Sequence, residues 1–340
     1  MRPNRKLIGL MRKDVVRGVM KTKDRVVVLI NKEKFDKVFD GKIRSMFIET
    51  IEYRPIGRIV ALDWRRQLPM QAQSPYTQQY RPLIMGVSVG NTCITAGTIG
   101  YFTSFATPQG TRYALVSNAH VLTQNPLASS QPSTCLTISQ PGPYDICNAN
   151  CPGSCTNNQY QMCCCGQDLS PYVVGTLGDY VRVKPLTFWC LILYWLGLGS
   201  LCMNKVDAAY AYLNSNIQFT PDVIINNQQT HPNNPLVGLV FAGDVQSGMG
   251  FVIKINNIIS ELGTYPVGYN TGVANEGDSV FKVGRTTGYT EGTVESTDVT
   301  ISVWYETGMA IFTDVYAINP ASGYTAFVQP GDSGSPTFKK

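Results

Sequence analysis

Short runs of alternating apolar and polar residues recur along this chain, and such alternation is typical of β-strands. Residues 299–305 (Val-Thr-Ile-Ser-Val-Trp-Tyr) alternate clearly, residues 236–243 form an apolar run, and residues 115–122 predict an apolar strand that leads into a short turn. Apolar residues at helical spacing are scarce, and 31 glycines and 20 prolines separate the runs. The pattern therefore predicts a mainly β protein built as a sandwich or a barrel. A chain of 340 residues is long enough for two or three cores.

Two segments carry residues suited to acyl transfer. His120 is one of only two histidines and follows the apolar run that begins at Leu115, while Ser333 lies far downstream in Gly331-Asp332-Ser333-Gly334. A serine hydroxyl becomes a strong nucleophile when an imidazole accepts its proton. The backbone N–H groups of Gly331 and Ser333 are our candidates for binding the negative charge that develops on the substrate oxygen. The alternative for the serine motif alone is an ordinary surface turn.

Five separated motifs follow one another along the chain: Arg81–Gly100, Asn118–Leu122, Gln140–Asp145, Gly284–Tyr289 and Gly331–Gly334. In their residues and their order they resemble those of bacterial-type chymotrypsin-like serine peptidases, and especially the intracellular trypsin-like proteins that include the plant narrow-leaf proteins. The resemblance implies a chymotrypsin-like double β-barrel with a small N-terminal α/β module, serine endopeptidase activity on polypeptides, and no cofactor.

A triad also needs a carboxylate that orients the imidazole. In the resembled family this residue lies between the histidine and the serine, within a Val-Asp-Ala-Ala pattern that Val206–Ala209 matches. The resemblance therefore implies Asp207, and Asp314 at a predicted strand end is the alternative. The second histidine, His231, lies in a polar loop, and we expect it to be solvated and not catalytic.

We divide the chain into units by composition and motif. The predicted units are residues 1–69 (basic α/β module), 70–82 (linker), 83–213 (first barrel, with a cysteine-rich insertion at 146–166 and an apolar helix at 186–203), 214–263 (linker and relocated strand pair plus helix) and 264–340 (second barrel).

The N-terminal module is strongly basic, with 18 Lys and Arg against 8 Asp and Glu in residues 1–69. Its pattern predicts strands at 25–30 and 46–53 and a helix at 32–39. Without aromatic interleaving or a recognition motif, this charge predicts a solvated face and not a nucleic-acid site. An accessory function through this module remains an alternative to peptidase activity, as does a catalytically inactive binding module.

The resemblance also implies an apolar strand after the nucleophile, whose edge binds substrate. The chain instead carries such a sequence earlier, at 236–243. We expect this segment to be relocated in sequence but to fill the same place, with Phe241, Ala242 and Gly243 pairing with substrate by strand addition. A truncated chain with an unrelated hairpin is the alternative. Phe327, six residues before the nucleophile, would form the floor of a pocket for small or apolar side chains.

The cysteines predict cross-links within one inserted segment. Six cysteines cluster in the predicted insertion. We expect them to form disulfides; a metal site is the second alternative and free thiols are the third. Cys147, Cys151, Cys155 and Cys163 would be the metal ligands.

Residues 186–203 contain no charge and predict a packed or membrane-surface helix, with a membrane span as the alternative. The N-terminus lacks a signal-peptide core, which predicts a cytoplasmic protein, with membrane association as an alternative. The sequence indicates no oligomeric state.

Overall fold

The computed structural model of the protein describes residues 5–61, 74–94, 96–150 and 168–340. Strands predominate within these ranges. The strands are β1 (Val16–Lys21), β2 (Val26–Ile30), β3 (Ile51–Pro55), β4 (Ile59–Ala61), β5 (Ser88–Asn91), β6 (Gly97–Thr98), β7 (Tyr101–Thr107), β8 (Gly110–Ser117), β9 (Thr137–Ser139), β10 (Val173–Tyr180), β11 (Met203–Asn204), β12 (Ala209–Leu213), β13 (Val223–Ile225), β14 (Gln228–Thr230), β15 (Leu236–Asp244), β16 (Met249–Lys254), β17 (Ser279–Gly284), β18 (Gly288–Tyr305), β19 (Gly308–Pro320) and β20 (Pro336–Lys339). The helices are α1 (Arg5–Arg12), α2 (Lys37–Arg44), α3 (Ala119–Leu122), α4 (Pro143–Asn150), α5 (Phe188–Trp195) and α6 (Ile255–Leu262).

The first barrel is formed by a sheet in the order β6-β5-β9-β10-β12-β8-β7. The sheet closes on itself because β6 and β7 are consecutive stretches of one extended segment, the first pairing with β5 and the second with β8. Alternating residues of β12, namely Ala209, Ala211 and Leu213, are buried inside it. This alternation is expected of a strand with one face in a core.

The second barrel closes through six strands. β17 pairs with β18 and β20, β18 also pairs with β19, and β16 and β15 complete the ring between β19 and β20. The fold is thus mainly β, with the predicted chymotrypsin-like pair of barrels. β15, β16 and α6 precede β17 in the chain, yet β15 lies beside the strand that follows Ser333. Residues 236–243 therefore lie beside Ser335–Phe338, which is the arrangement that the relocation hypothesis requires.

The two barrels pack directly on each other. One apolar cluster includes Leu115 and Val121 of the first barrel together with Leu239 and Val283 of the second. The barrels approach closely at β6, where a Cβ added to Gly97 would lie 3.0 Å from the carbonyl oxygen of Ser333. The contact between the barrels thus includes the loop Gly331–Gly334, which carries the predicted nucleophile and is called the nucleophile loop below.

The N-terminal strands extend the sheet of the second barrel. β1 pairs with β18 in antiparallel register, with Gly18 opposite Ile301, and β2 pairs with both β1 and β3. The helix predicted at 32–39 is wrong, because α2 begins at Lys37. Asp36 precedes it and accepts a hydrogen bond from the Phe39 N–H at 3.0 Å, as an N-cap does, while residues 32–34 form a turn. The pattern also missed α1 and β1.

The single helix predicted over 186–203 is wrong as well. α5 ends near Trp195, and Gly197 adopts a left-handed φ of +77°. The Gly197 and Leu198 N–H groups bond to the carbonyls of Tyr194 and Leu193 at 3.2 and 2.7 Å, which is a Schellman motif. A disulfide between Cys190 and Cys202 links α5 to the residues just before β11. In the described part of the chain no helix is long and apolar enough to cross a bilayer.

Candidate active site

The histidine lies where the first barrel meets the second. β8 ends at Ser117, Asn118 remains extended, and His120 falls within the short helix α3. Asn118 donates a side-chain hydrogen bond to the carbonyl oxygen of Asp207 at 2.8 Å, and the His120 backbone N–H donates to the Asp207 carboxylate at 3.2 Å. These contacts fix the histidine turn against the segment that precedes β12.

Three side chains from distant parts of the chain meet at this point. His120 Nδ1 lies 2.6 Å from Oδ2 of Asp207, and His120 Nε2 lies 2.7 Å from Oγ of Ser333. A carboxylate only accepts hydrogen bonds, so Nδ1 carries the proton in the neutral ring and Nε2 accepts from the serine hydroxyl. This is the geometry of a nucleophile, a base and an orienting acid. Asp207 and Ser333 have no exposed surface, and His120 is 8% exposed.

The Asp207 carboxylate has a further partner that the sequence did not predict. Tyr305, at the end of β18, donates its hydroxyl to Oδ2 of Asp207 at 2.6 Å. Burial alone would raise the pKa of Asp207, but the charge of His120 and hydrogen bonds from His120 and Tyr305 hold it below its ordinary value. The carboxyl group is therefore ionised at neutral pH, as an orienting group beside an imidazole requires.

We expect the Tyr305 hydroxyl to position the Asp207 carboxylate, and a substitution tests this role. Tyr305→Phe should lower kcat by about 10–100-fold, because without this hydrogen bond the Asp207 carboxylate, and with it the His120 ring, can shift from the position that catalysis needs. Because Asp207 would then attract the imidazole proton more strongly, the acidic limb of the kcat/KM profile should move to higher pH. Steady-state kinetics from pH 5 to 9 test this, with Tyr113→Phe as the control. A lower kcat with an unmoved acidic limb would indicate that Tyr305 acts only through packing.

The nucleophile loop depends on two glycines with left-handed backbone conformations. Gly331 has a φ of +97° and Gly334 a φ of +91°. At Gly334 there is also no room for a side chain, because a Cβ there would lie 2.2 Å from the Ser117 hydroxyl oxygen. Thr98 holds the loop from the first barrel: its N–H donates to the Ser333 carbonyl at 2.7 Å, and its hydroxyl donates to the Gly331 carbonyl at 3.0 Å. The predicted oxyanion-binding residues, Gly331 and Ser333, are thus two residues apart on a tightly held loop.

Asp332 points away from the site into the second barrel. Its carboxylate accepts hydrogen bonds from the N–H groups of Thr286, Thr287 and Gln329 at 2.9–3.1 Å, and from the Thr287 hydroxyl at 2.7 Å. The ammonium group of Lys282 lies 3.3 Å away, and neither side chain is exposed. Burial lowers the pKa of Lys282 below its ordinary value, and the Asp332 carboxylate opposes this shift. Lys282 supplies the buried partner that the inward-pointing aspartate needs.

Removal of that cation should destabilise the protein. Lys282→Met leaves Asp332 buried without its counter-ion, and the free energy of unfolding should fall by about 3–5 kcal/mol. Urea unfolding measures the change. The control is Lys339→Met, which breaks a partly exposed pair with Asp278 and should cost about 1 kcal/mol or less. Equal losses in the two variants would contradict a special role for Lys282.

A buried ion pair joins the barrels on the other side of the nucleophile loop. Arg285 donates from Nε to Oδ2 of Asp145 at 3.0 Å and from Nη2 to Oδ1, and Ser88 donates to the same carboxylate at 2.5 Å. Asp145 belongs to the predicted Gln140–Asp145 motif, and Arg285 to the Gly284–Tyr289 motif. A Cβ on Gly331 would lie 3.1 Å from Nη1 of Arg285, so this pair lies directly against the loop. The two motifs therefore act together although 140 residues separate the partners.

The remaining predicted site residues have varied positions. Phe327 is fully buried, with its ring between Gly250 and Gly292, and so has no surface open to solvent. The alternative acid, Asp314, forms an ion pair with Lys254 at 2.5 Å. His231 contacts the carbonyl oxygens of Pro221 and Gly268 at the surface, as expected of a solvated histidine.

The edge residues predicted to bind substrate are already paired. Ala242 lies opposite Ala61, and Gly243 lies opposite Val60, both in β4. Phe241 precedes this pairing and is fully buried. In this structure β4, a strand from the N-terminal region, therefore occupies the edge that we expect to pair with substrate.

The metal alternative loses one of its ligands. Cys147 is disulfide-bonded and so offers no thiolate, while Cys151, Cys155 and Cys163 lie outside the described residues. The described residues also contain a disulfide between Cys93 and Cys135, which the sequence pattern did not indicate.

No protein-family model matches the chain, and no curated protein matches it. Among solved structures it is similar to a Nocardiopsis protease (14% identity, 75% of this chain and 78% of that chain, TM-score 0.36) and to Thermobifida fusca protease A (13% identity, 76% and 90%, TM-score 0.34). A third is a glutamic-acid-specific serine protease described as using a histidine triad in substrate binding (11% identity, 76% and 92%, TM-score 0.32). These similarities are distant, so we interpret the site from its own geometry.

Proposed function

We propose that this chain is a serine endopeptidase that hydrolyses polypeptides through an acyl-enzyme intermediate. The observation that carries the proposal is the placement of His120 between Ser333 Oγ and Asp207 Oδ2, at 2.7 and 2.6 Å. Such a geometry lets the imidazole accept the hydroxyl proton as the oxygen attacks a carbonyl carbon. The motif resemblance to the intracellular narrow-leaf-type subgroup supports the same activity, and membership of that subgroup is part of the proposal.

Each residue has a defined part in the mechanism. His120 acts first as general base and then as general acid toward the leaving amine, while Asp207 holds the ring and stabilises its charged form. The N–H groups of Gly331 and Ser333 bind the oxyanion. Water then attacks the acyl-enzyme with His120 again as base, and no cofactor takes part. A small or apolar residue at the cleavage site stays a proposal from the sequence alone, because Phe327 has no exposed surface with which to contact a substrate.

Turnover by the wild type and by Ser333→Ala tests this proposal. A panel of fluorogenic peptides and p-nitrophenyl esters should be hydrolysed by the wild type and by the control Ser322→Ala, whose serine lies in an exposed turn. Ser333→Ala should retain no hydrolysis above background. Equal hydrolysis by the wild type and Ser333→Ala would exclude the mechanism. If none of the correctly folded proteins hydrolysed any substrate, a catalytically inactive binding module would be favoured instead.

A further inference from the structure

The two edges of β15 have different partners, and one of these edges connects the nucleophile loop with a strand from the N-terminal region. The first edge pairs with β16 from Gly238 to Asp244. On the second edge, the Val240 N–H donates to the Ser335 carbonyl at 3.0 Å, and the Val240 carbonyl accepts from the Gly334 N–H at 2.8 Å. Beyond Val240 this second edge pairs with β4. Without β4, the edge over residues 242–244 would lie open beyond Val240, whose backbone bonds to Gly334 and Ser335.

β4 is held in this place by several contacts. Its residue Val60 also pairs with Trp304 of β18, so that β4 lies between β15 and β18. The Gly57 N–H donates to Oδ2 of Asp244 at 3.2 Å, and the Arg58 guanidinium lies 4.4 Å from the Trp304 ring centroid. Ile59 and Ala61 are 0% and 2% exposed. The strand is therefore a packed part of the fold.

The direction of β4 is the direction that a peptide substrate needs. The strand is antiparallel to β15, with Ile59 opposite Asp244 and Ala61 opposite Ala242. Its chain direction thus leads along the edge toward Val240, whose backbone bonds to the nucleophile loop. Trp304, on its other side, precedes Tyr305, the residue that donates to Asp207. A peptide that added to this edge in the same direction would advance its carboxyl-terminal end toward Ser333.

We propose that residues 59–61 occupy the substrate strand position of this chain's own active site. The site takes extended peptides with small aliphatic side chains, in antiparallel register over Ala242–Asp244, and β4 must leave this edge before a polypeptide is cleaved. The inference rests on the proposed peptidase function. A segment tethered to the same chain competes at an effective concentration on the order of millimolar. Free peptides therefore bind weakly until β4 is displaced.

A proline in β4 tests the proposal, because proline removes a backbone donor and is disfavoured in a strand paired on both edges. The probe is a fluorescein-labelled peptide with the sequence of residues 57–61, and its affinity is measured by anisotropy in a Ser333→Ala background. Addition of Val60→Pro should strengthen binding at least tenfold. The control is Gln228→Pro, in the exposed strand β14, which should leave binding unchanged. Thermal unfolding checks that both proline variants remain folded.

A kinetic measurement accompanies the binding measurement. With Ser333 present, the ratio of peptide to small-ester kcat/KM should rise at least tenfold in Val60→Pro, since only the peptide needs the strand edge. Should the Val60→Pro variant not fold, Arg58→Ala, which removes the stacking on Trp304, should raise the ratio in the same direction. Peptide affinities within twofold of each other, with or without Val60→Pro, would overturn the inference. Absence of ester hydrolysis in all variants, together with tighter peptide binding, would refute the peptidase and leave the strand assignment standing.

Discussion

Replacement of His120 with alanine should lower kcat by about 10⁶-fold, the scale seen when a triad histidine is removed. The reason is geometric: His120 Nε2 lies 2.7 Å from Ser333 Oγ and is the only imidazole positioned to accept its proton among the described residues. Small-ester hydrolysis is the measurement, because it depends on the reacting groups and needs no extended substrate.

The second histidine of the chain supplies the matched control. His231 contacts backbone carbonyls at the surface and stacks on Tyr269. His231→Ala should keep kcat within about twofold of the wild type. If both substitutions reduced kcat equally, general loss of stability would explain the result, and His120 would have no special part.

Asp207→Asn should lower kcat by about 10⁴-fold while the fold stays intact. The asparagine amide can donate a hydrogen bond to Nδ1 of His120, which would place the ring proton on Nε2. A protonated Nε2 cannot accept the proton of the serine hydroxyl. Asp207 also accepts from Tyr305 and the His120 N–H, so an isosteric change tests charge and tautomer more cleanly than a truncation.

Asp314 is the matched control for this second prediction. It is the alternative acid that the sequence offers, and its carboxylate pairs with Lys254 and lies 3.9 Å from Lys205. Asp314→Asn should leave kcat within about twofold of the wild type. A large loss in Asp314→Asn with little loss in Asp207→Asn would reverse the assignment.

The sequence indicated His120 and Ser333 because each lies in a short motif whose chemistry is local, whereas Asp207 was implied only by the family resemblance. A glycine-flanked serine and a histidine turn can be recognised without knowledge of the fold. Lys282 left a signal that could have been used: it is the only charge in the strand Ser279–Gly284 and shares a strand face with the buried Val280. A cation on the inner face of a strand indicates a buried counter-ion, which is Asp332.

No local sequence pattern indicated the contact between Tyr305 and Asp207 or the position of β4. Tyr305 reaches Asp207 across 98 residues of sequence, through the register of an 18-residue strand. β4 is three residues long, and its place depends on pairing with β15 and β18, both far along the chain. Strand register between distant segments is set by tertiary packing, which local patterns do not encode.

The N-terminal region is a second case in which a local sequence pattern did not predict the tertiary packing. Its excess of basic residues suggested a separate unit, yet β1 joins the sheet of the second barrel and buries Val16 and Val19. Charge describes the exposed face of such a region, whereas its apolar residues decide where it packs. The β1–β18 pairing attaches this region to the second barrel, and β4 pairs with β15.

The most direct test of the central claim is labelling with a small fluorophosphonate, followed by mass spectrometry of the modified peptide. The probe reacts with a serine hydroxyl that a neighbouring imidazole activates. We predict one label per chain, on Ser333, that is lost in His120→Ala and retained in His231→Ala. A folded wild-type protein that stays unlabelled, or that carries the label on another residue, would contradict the account.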